Sequence, residues 1–243
     1  YPHLHFQIQE YPYIGSITKD YPISAYVTTE NGGYSFLSHK RPLKDEKVSN
    51  IEANELLSRA YKFTPGEILK FSAEGFRDID SVSWEVKVNS FNETYFQCSR
   101  SKSTAYFESD DNQFYFTYFE GPKDCLLYYF FLGSYKIQEG FYQDLVLKDK
   151  SPLYLVYPKM IRWLHDFISP FILLIKSEYT LQYAHIDDYL SPEKITLNSS
   201  LKNHFNNRLI NKKDFSISLD REGIKEFTTE FSDQKIVLKR WEE

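Results

Sequence analysis

Between residues 81 and 90 the chain reads SVSWEVKVNS, with Val82, Trp84, Val86 and Val88 alternating with Ser83, Glu85 and Lys87. Successive side chains of a β-strand point to opposite faces, so this spacing gathers the four apolar groups on one face and the polar ones on the other. A helix would scatter the same residues around its circumference, so a period of two commits the segment to a half-buried strand. Comparable segments recur about every ten residues. Strands are predicted at 67–73, 81–90, 93–99, 104–109, 113–120 and 125–137, then at 171–186, 193–200, 214–220, 224–232 and 234–241. Aromatic residues make up 18% of the chain, with 20 Tyr and 20 Phe, and flat rings pack well on a pleated surface. The predicted fold class is all-β, mainly antiparallel and sandwich-like, with one or two short helices.

Two segments break the pattern. In SNIEANELLSRAYKF (49–63), Ser49 or Asn50 can cap a helix whose Ile51, Leu56, Leu57 and Ala60 share a face. The most apolar region, 151–177, is interrupted by Lys159, Arg162, His165 and Asp166 and broken by Pro158 and Pro170. Its charge-free run, Phe167 to Ile175, is nine residues long, against the roughly 20 that a spanning helix needs. A short helix at about 159–168 leading into a buried strand is predicted, with no membrane span and no targeting peptide in the chain. A turn is predicted at 28–35, with Asn31-Gly32-Gly33 as its punctuation, and hairpin turns at Asp220-Arg221-Glu222-Gly223 and Ser232-Asp233-Gln234.

The net charge of −5, with no basic cluster longer than HKR (39–41) or NKK (211–213), argues against a nucleic-acid partner. Cys98 and Cys125 match no zinc or redox spacing, leaving either a disulfide between neighbouring strands of an exported protein or two buried thiols. The chain carries no G-x-S-x-G elbow, phosphate-binding loop, dinucleotide fingerprint or H-E-x-x-H. His39 and His204 are expected in polar loops, and His165 in the apolar short helix. In HIDD (185–188), His185 and Asp187 stand at strand spacing, which suits either a divalent-metal site or a polar strand end.

The remaining histidines open the chain. Read as a strand, HLHFQIQ places His3, His5, Gln7 and Gln9 on one side and Leu4, Phe6 and Ile8 on the other. Two imidazoles then share one space. PHLHFQIQ (2–9) resembles the closing motif of the lysostaphin-type zinc metalloendopeptidases, which cut peptide cross-links in bacterial cell walls. The following KDYPISAYV (19–27) is similar in position to the proline-containing segment of that family. The resemblance implies that His5 is a zinc ligand and that His3 is the unligated histidine that activates water or steadies the tetrahedral intermediate. Gln7 stands where the family often has Glu.

The resemblance covers about residues 1–28, and the family's other two ligands, from an H-x-x-x-D-like motif, lie upstream of such a strand. One imidazole cannot hold a catalytic zinc, which takes three protein ligands. The expectation is therefore a fragment: 1–28 the end of a catalytic domain, 29–147 one β-rich accessory domain and 148–243 a second. Zn2+ would belong to the full-length parent and not be held by this piece alone. The substrate implied is the peptide of peptidoglycan, and the location is the cell envelope, periplasmic or extracellular. The competing expectation is a non-enzymatic β-sandwich module that binds glycan or a protein partner at the cell envelope.

Overall fold

The structure, a computed structural model, describes residues 8–19, 23–30, 33–49, 53–110, 112–140, 145–188, 191–231 and 234–241. A small hairpin comes first, with β1 (Ile8–Gln9) paired antiparallel with β2 (Thr18–Lys19). Then come β3 (Ile23–Glu30), β4 (Gly33–Lys40) and β5 (Val48–Ser49). The segment 10–28 thus supplies β2 and most of β3. β3 and β4 pair antiparallel, from Ile23 with Lys40 to Glu30 with Gly33; the predicted turn residues Asn31 and Gly32 lie outside the described residues.

Helix α1 (Glu55–Tyr61) is capped by Asn54. The Asn54 Oδ1 accepts the N–H groups of Leu56 and Leu57 at 3.1 and 3.2 Å, so the cap lies four or five residues beyond the predicted Ser49 or Asn50. A meander succeeds it: β6 (Ile68–Glu74), β7 (Ser81–Val88), β8 (Thr94–Cys98), β9 (Thr104–Ser109) and β10 (Gln113–Glu120). Next come α2 (Leu126–Gly133), β11 (Lys136–Gln138), β12 (Val146–Lys150), α3 (Leu153–Val156) and α4 (Lys159–Ile168). Five long strands complete the chain: β13 (Ile175–Ile186), β14 (Lys194–Phe205), β15 (Arg208–Asp220), β16 (Gly223–Phe231) and β17 (Gln234–Arg240). The all-β, mainly antiparallel class is realised, with four short helices among the described residues.

The strands form one continuous sheet in the order β11-β10-β9-β8-β7-β6-β17-β16-β15-β14-β13-β12-β4-β3-β5. Segments 29–147 and 148–243 contribute to the same sheet, joined where β17 pairs with β6 and where β12 pairs with β4. They also share one hydrophobic core. The twelve strands from β11 to β12 curl until these two outer members approach each other through side chains. Lys136 Nζ on β11 lies 2.8 Å from Asp149 Oδ2 on β12. The hydroxyl of Tyr183 on β13 donates to the carbonyls of Gln138 and Gly140, at 2.7 and 2.8 Å. The result is a near-barrel whose last seam is closed by side chains.

Residues 125–137, predicted as one strand, instead give α2 and the short β11. All eight residues of α2 are buried. The run LLYYFFLG is apolar on every side, so no period of two or of 3.6 is visible in it, and a helix enclosed on all sides needs none. The barrel is wrapped around this helix. Phe130 touches Trp84 of β7, Phe96 of β8, Phe116 of β10 and Phe227 of β16. Gly133 ends the helix where the wall is nearest, and its carbonyl accepts the Tyr179 and Ser199 hydroxyls at 2.9 and 2.6 Å.

Candidate functional site

His3 and His5, the residues that the peptidase resemblance singles out, lie outside the described residues. Ile8 and Gln9, a few positions further on, run as extended chain paired with Lys19 and Thr18. The Gln9 side chain donates to the Ser16 carbonyl at 3.2 Å, and Gly15, at φ +90°, makes the turn that brings the chain back. Ile14 and Ile17 at its tip are exposed, and Tyr11 and Tyr13 stack at 5.7 Å between centroids.

No group of three metal-ligating side chains occurs among the described residues. His185 is exposed, and Asp187 is occupied otherwise: its Oδ1 accepts the N–H groups of Asp188, Glu193 and Lys194 at 3.0–3.1 Å. Those bonds, the one from Lys194 foremost, hold the Asp187 carboxyl below its ordinary range. Asp187 thus holds the backbone that follows β13 to the start of β14. Buried His165 accepts the Ile175 N–H at Nδ1, 3.4 Å away, and His204 Nδ1 lies 3.8 Å from the Glu178 carboxylate. Residues 39 and 204, expected in loops, lie within β4 and β14. Cys98 and Cys125 are free, buried thiols; Cys125 Sγ sits 3.3 Å from Ser103 Oγ.

The chemistry-bearing surface that the sheet does assemble is aromatic. In β8, β9 and β10, Phe points in and Tyr points out: Phe96, Phe107, Phe114 and Phe116 are buried, while Tyr95, Tyr106 and Tyr115 face outward. A bulge between Phe116 and Tyr118 then shifts the phase by one residue. Without it Tyr118 would turn inward and Phe119 outward. With it Tyr118 is 50% exposed and Phe119 3%.

Tyr95, Tyr106 and Tyr118 are direct cross-strand partners in register. Their centroids are 5.1 and 6.2 Å apart, and Tyr154 of α3 extends the row at 5.4 Å from Tyr118. Tyr154 is fixed because its hydroxyl accepts the Phe119 N–H at 3.0 Å, and the Lys123 ammonium lies 5.7 Å from its ring. Burial, with Glu120 and Glu93 nearby, pushes the Tyr106 phenol up, so it stays a neutral donor at physiological pH. Four linked rings beside carboxylates and a lysine make a ribbon that can stack on apolar sugar faces while its edges bond hydroxyls. The Phe-in, Tyr-out rule is legible in AYFES and QFYFTYFE. The bulge that extends the row to Tyr118 has no sequence signal.

No protein-family model, curated protein or solved structure matches the chain.

Proposed function

We propose that this chain is the C-terminal part of a zinc metalloendopeptidase that hydrolyses peptide cross-links of bacterial peptidoglycan. The observation that carries the proposal is the sequence PHLHFQIQ, of which the last two residues, Ile8 and Gln9, pair antiparallel with Lys19 and Thr18. On this reading His5 would ligate zinc and His3 would stand within proton-transfer reach of the substrate. The described residues supply no complete ligand set, so the remaining ligands would come from upstream of Tyr1 in the parent polypeptide. Bound there, the metal would polarise the scissile carbonyl and acidify its water. His3 would take and return the proton. The near-barrel would be the non-catalytic part of an enzyme in the cell envelope.

The test is hydrolysis of purified peptidoglycan by the polypeptide extended upstream. Hydrolysis that is lost on His3→Ala and on His5→Ala supports the reading. Hydrolysis indifferent to both substitutions, or none from a folded extended chain, refutes it.

The tyrosine row favours a second reading, a module that binds glycan strands at the envelope without catalysis. The two separate cleanly: glycan binding should depend on Tyr106 and Tyr118, and hydrolysis on His3 and His5.

A further inference from the structure

Helix α4 is turned inside out. Met160, Trp163, Leu164 and Phe167 recur at i, i+3, i+4 and i+7, the stripe that normally faces a core. Here all four are exposed, Met160 by 84%, and the one buried residue of the helix, His165, lies on a different face. The chain leaving the helix continues the surface with Phe171, Ile172 and Leu173, all exposed.

The tip of the β14–β15 hairpin stands beside it. Ile175 pairs with Phe205, and the Asn206 N–H donates to the Leu174 carbonyl at 2.7 Å. The Tyr157 hydroxyl ties the two segments together, donating to the carbonyls of Lys176 and His204 at 3.0 and 2.7 Å. The hairpin adds Phe205, Leu209 and Ile210, also exposed. The apolar groups of both segments thus lie at one end of the barrel, held by backbone bonds. A contiguous exposed patch of this kind marks a docking surface.

Its charge identifies the occupant. Segments 157–174 and 201–214 hold Lys159, Arg162, Lys202, Arg208, Lys212 and Lys213 against Asp166 and Asp214, a net charge of 6 − 2 = +4. The whole chain carries −5, so everything else carries −5 − 4 = −9. Lys212 is paired with Asp214 at 2.7 Å, Lys213 lies over the Tyr129 ring and Lys202 stands across from Glu178 on β13, which leaves Lys159, Arg162 and Arg208 to set the field of the patch. An exposed Trp/Phe/Leu stripe with basic residues beside it is the composition of an element that lies in a membrane interface. We propose that α4, the segment after it and the β14–β15 tip dock together on an anionic lipid surface, with Trp163 and Phe167 in the headgroup boundary. This goes beyond the peptidase reading and does not depend on it. The helix rests on the bilayer; no helix of the described residues is long and apolar enough to cross one.

The experiment uses the whole chain carrying Trp241→Phe, because Trp84 is fully buried and Trp241 is 53% exposed, so that Trp163 becomes the solvent-sensitive reporter. The probes are phosphatidylcholine vesicles with and without phosphatidylglycerol. The expected result is co-sedimentation with the anionic vesicles, a blue shift of Trp163 emission and weakening at high salt. Phe167→Ser should reduce binding about tenfold or more, and Arg208→Gln roughly fivefold, with unchanged circular dichroism. Three results would overturn the proposal: no binding to anionic vesicles, equal binding to neutral ones at any salt, or a dimer in solution that Phe167→Ser dissociates. The last would assign the face to a second copy of the chain.

Discussion

Trp84 and Phe130 meet at the centre of the barrel, ring centroids 4.8 Å apart and planes inclined by 37°. One belongs to the wall and the other to the helix inside it, and both are fully buried. Enclosure of α2 lets an all-β wall this wide hold a packed interior, because side chains alone fill only smaller barrels.

Phe130 is therefore the residue whose loss the fold should feel most. Phe130→Ala is expected to lower unfolding free energy by about 3–5 kcal/mol, through lost burial plus a cavity that rings on several strands cannot collapse into. Phe130→Leu should lose less. Chemical denaturation measures both, and near-native stability of the alanine variant would show that the helix is not the packing centre.

Gly133 tests the opposite error. A Cβ there would stand 2.6 Å from Phe227 Cε2 and 2.9 Å from Phe215 Cγ, both on rings packed in the wall. Alanine usually favours a helix, but Gly133→Ala should destabilise the protein by about 1–3 kcal/mol through overpacking. A rise in melting temperature would contradict this.

Asp220 gives a pH signature. Its two carboxylate oxygens accept Arg240 Nη1 and Nη2, each at 2.9 Å, and Oδ1 also accepts the Glu222 N–H at 3.0 Å. Burial pushes the carboxyl up, but these bonds and the charges of Arg240 and Lys225 outweigh it, and the net shift is downward from 3.8. A folded pKa below the unfolded one means stabilisation that is present above about pH 4 and is lost as pH falls through the folded value. Arg240→Met should lower the melting temperature at neutral pH, and its deficit against the parent should shrink below about pH 4. A deficit constant with pH would remove Asp220 from the explanation.

The tyrosine row should matter for binding and little for folding. Tyr106→Ala and Tyr118→Ala are each expected to weaken retention on purified glycan strands by about tenfold, the scale of one stacking contact. Melting temperatures should move little, since both rings lie on the outer face. Equal retention by parent and variants would leave the row a structural ornament of the sheet.

Much of this architecture was legible in the chain. The alternation in 81–88 and 104–109 set those strands, and the predicted helix at 159–168 matches α4 because Pro158 opens it and its stripe is regular. What stayed hidden has physical causes. The run at 125–137 is apolar throughout, so periodicity could not distinguish a strand from an enclosed helix. The union of early and late strands into one sheet depends on pairings such as Val237 with Glu74, far apart in sequence and without local signal. Of the candidate site, the H-x-H pair stands on its spacing and its resemblance alone, since His3 and His5 lie outside the described residues. The tyrosine row was half legible, since alternation orients Tyr95 and Tyr106 but a bulge orients Tyr118. The exposed face of α4 was invisible, because a stripe reads the same whichever way it points.

The central claim, that this chain completes a zinc centre begun upstream, is tested most directly by metal content. The polypeptide extended upstream of Tyr1, and the same polypeptide carrying His5→Ala, should be purified, dialysed and assayed for zinc by atomic absorption. The account predicts roughly one tightly held zinc per extended chain and its loss in the variant. Equal zinc in the two, or none in a folded extended chain, would contradict it.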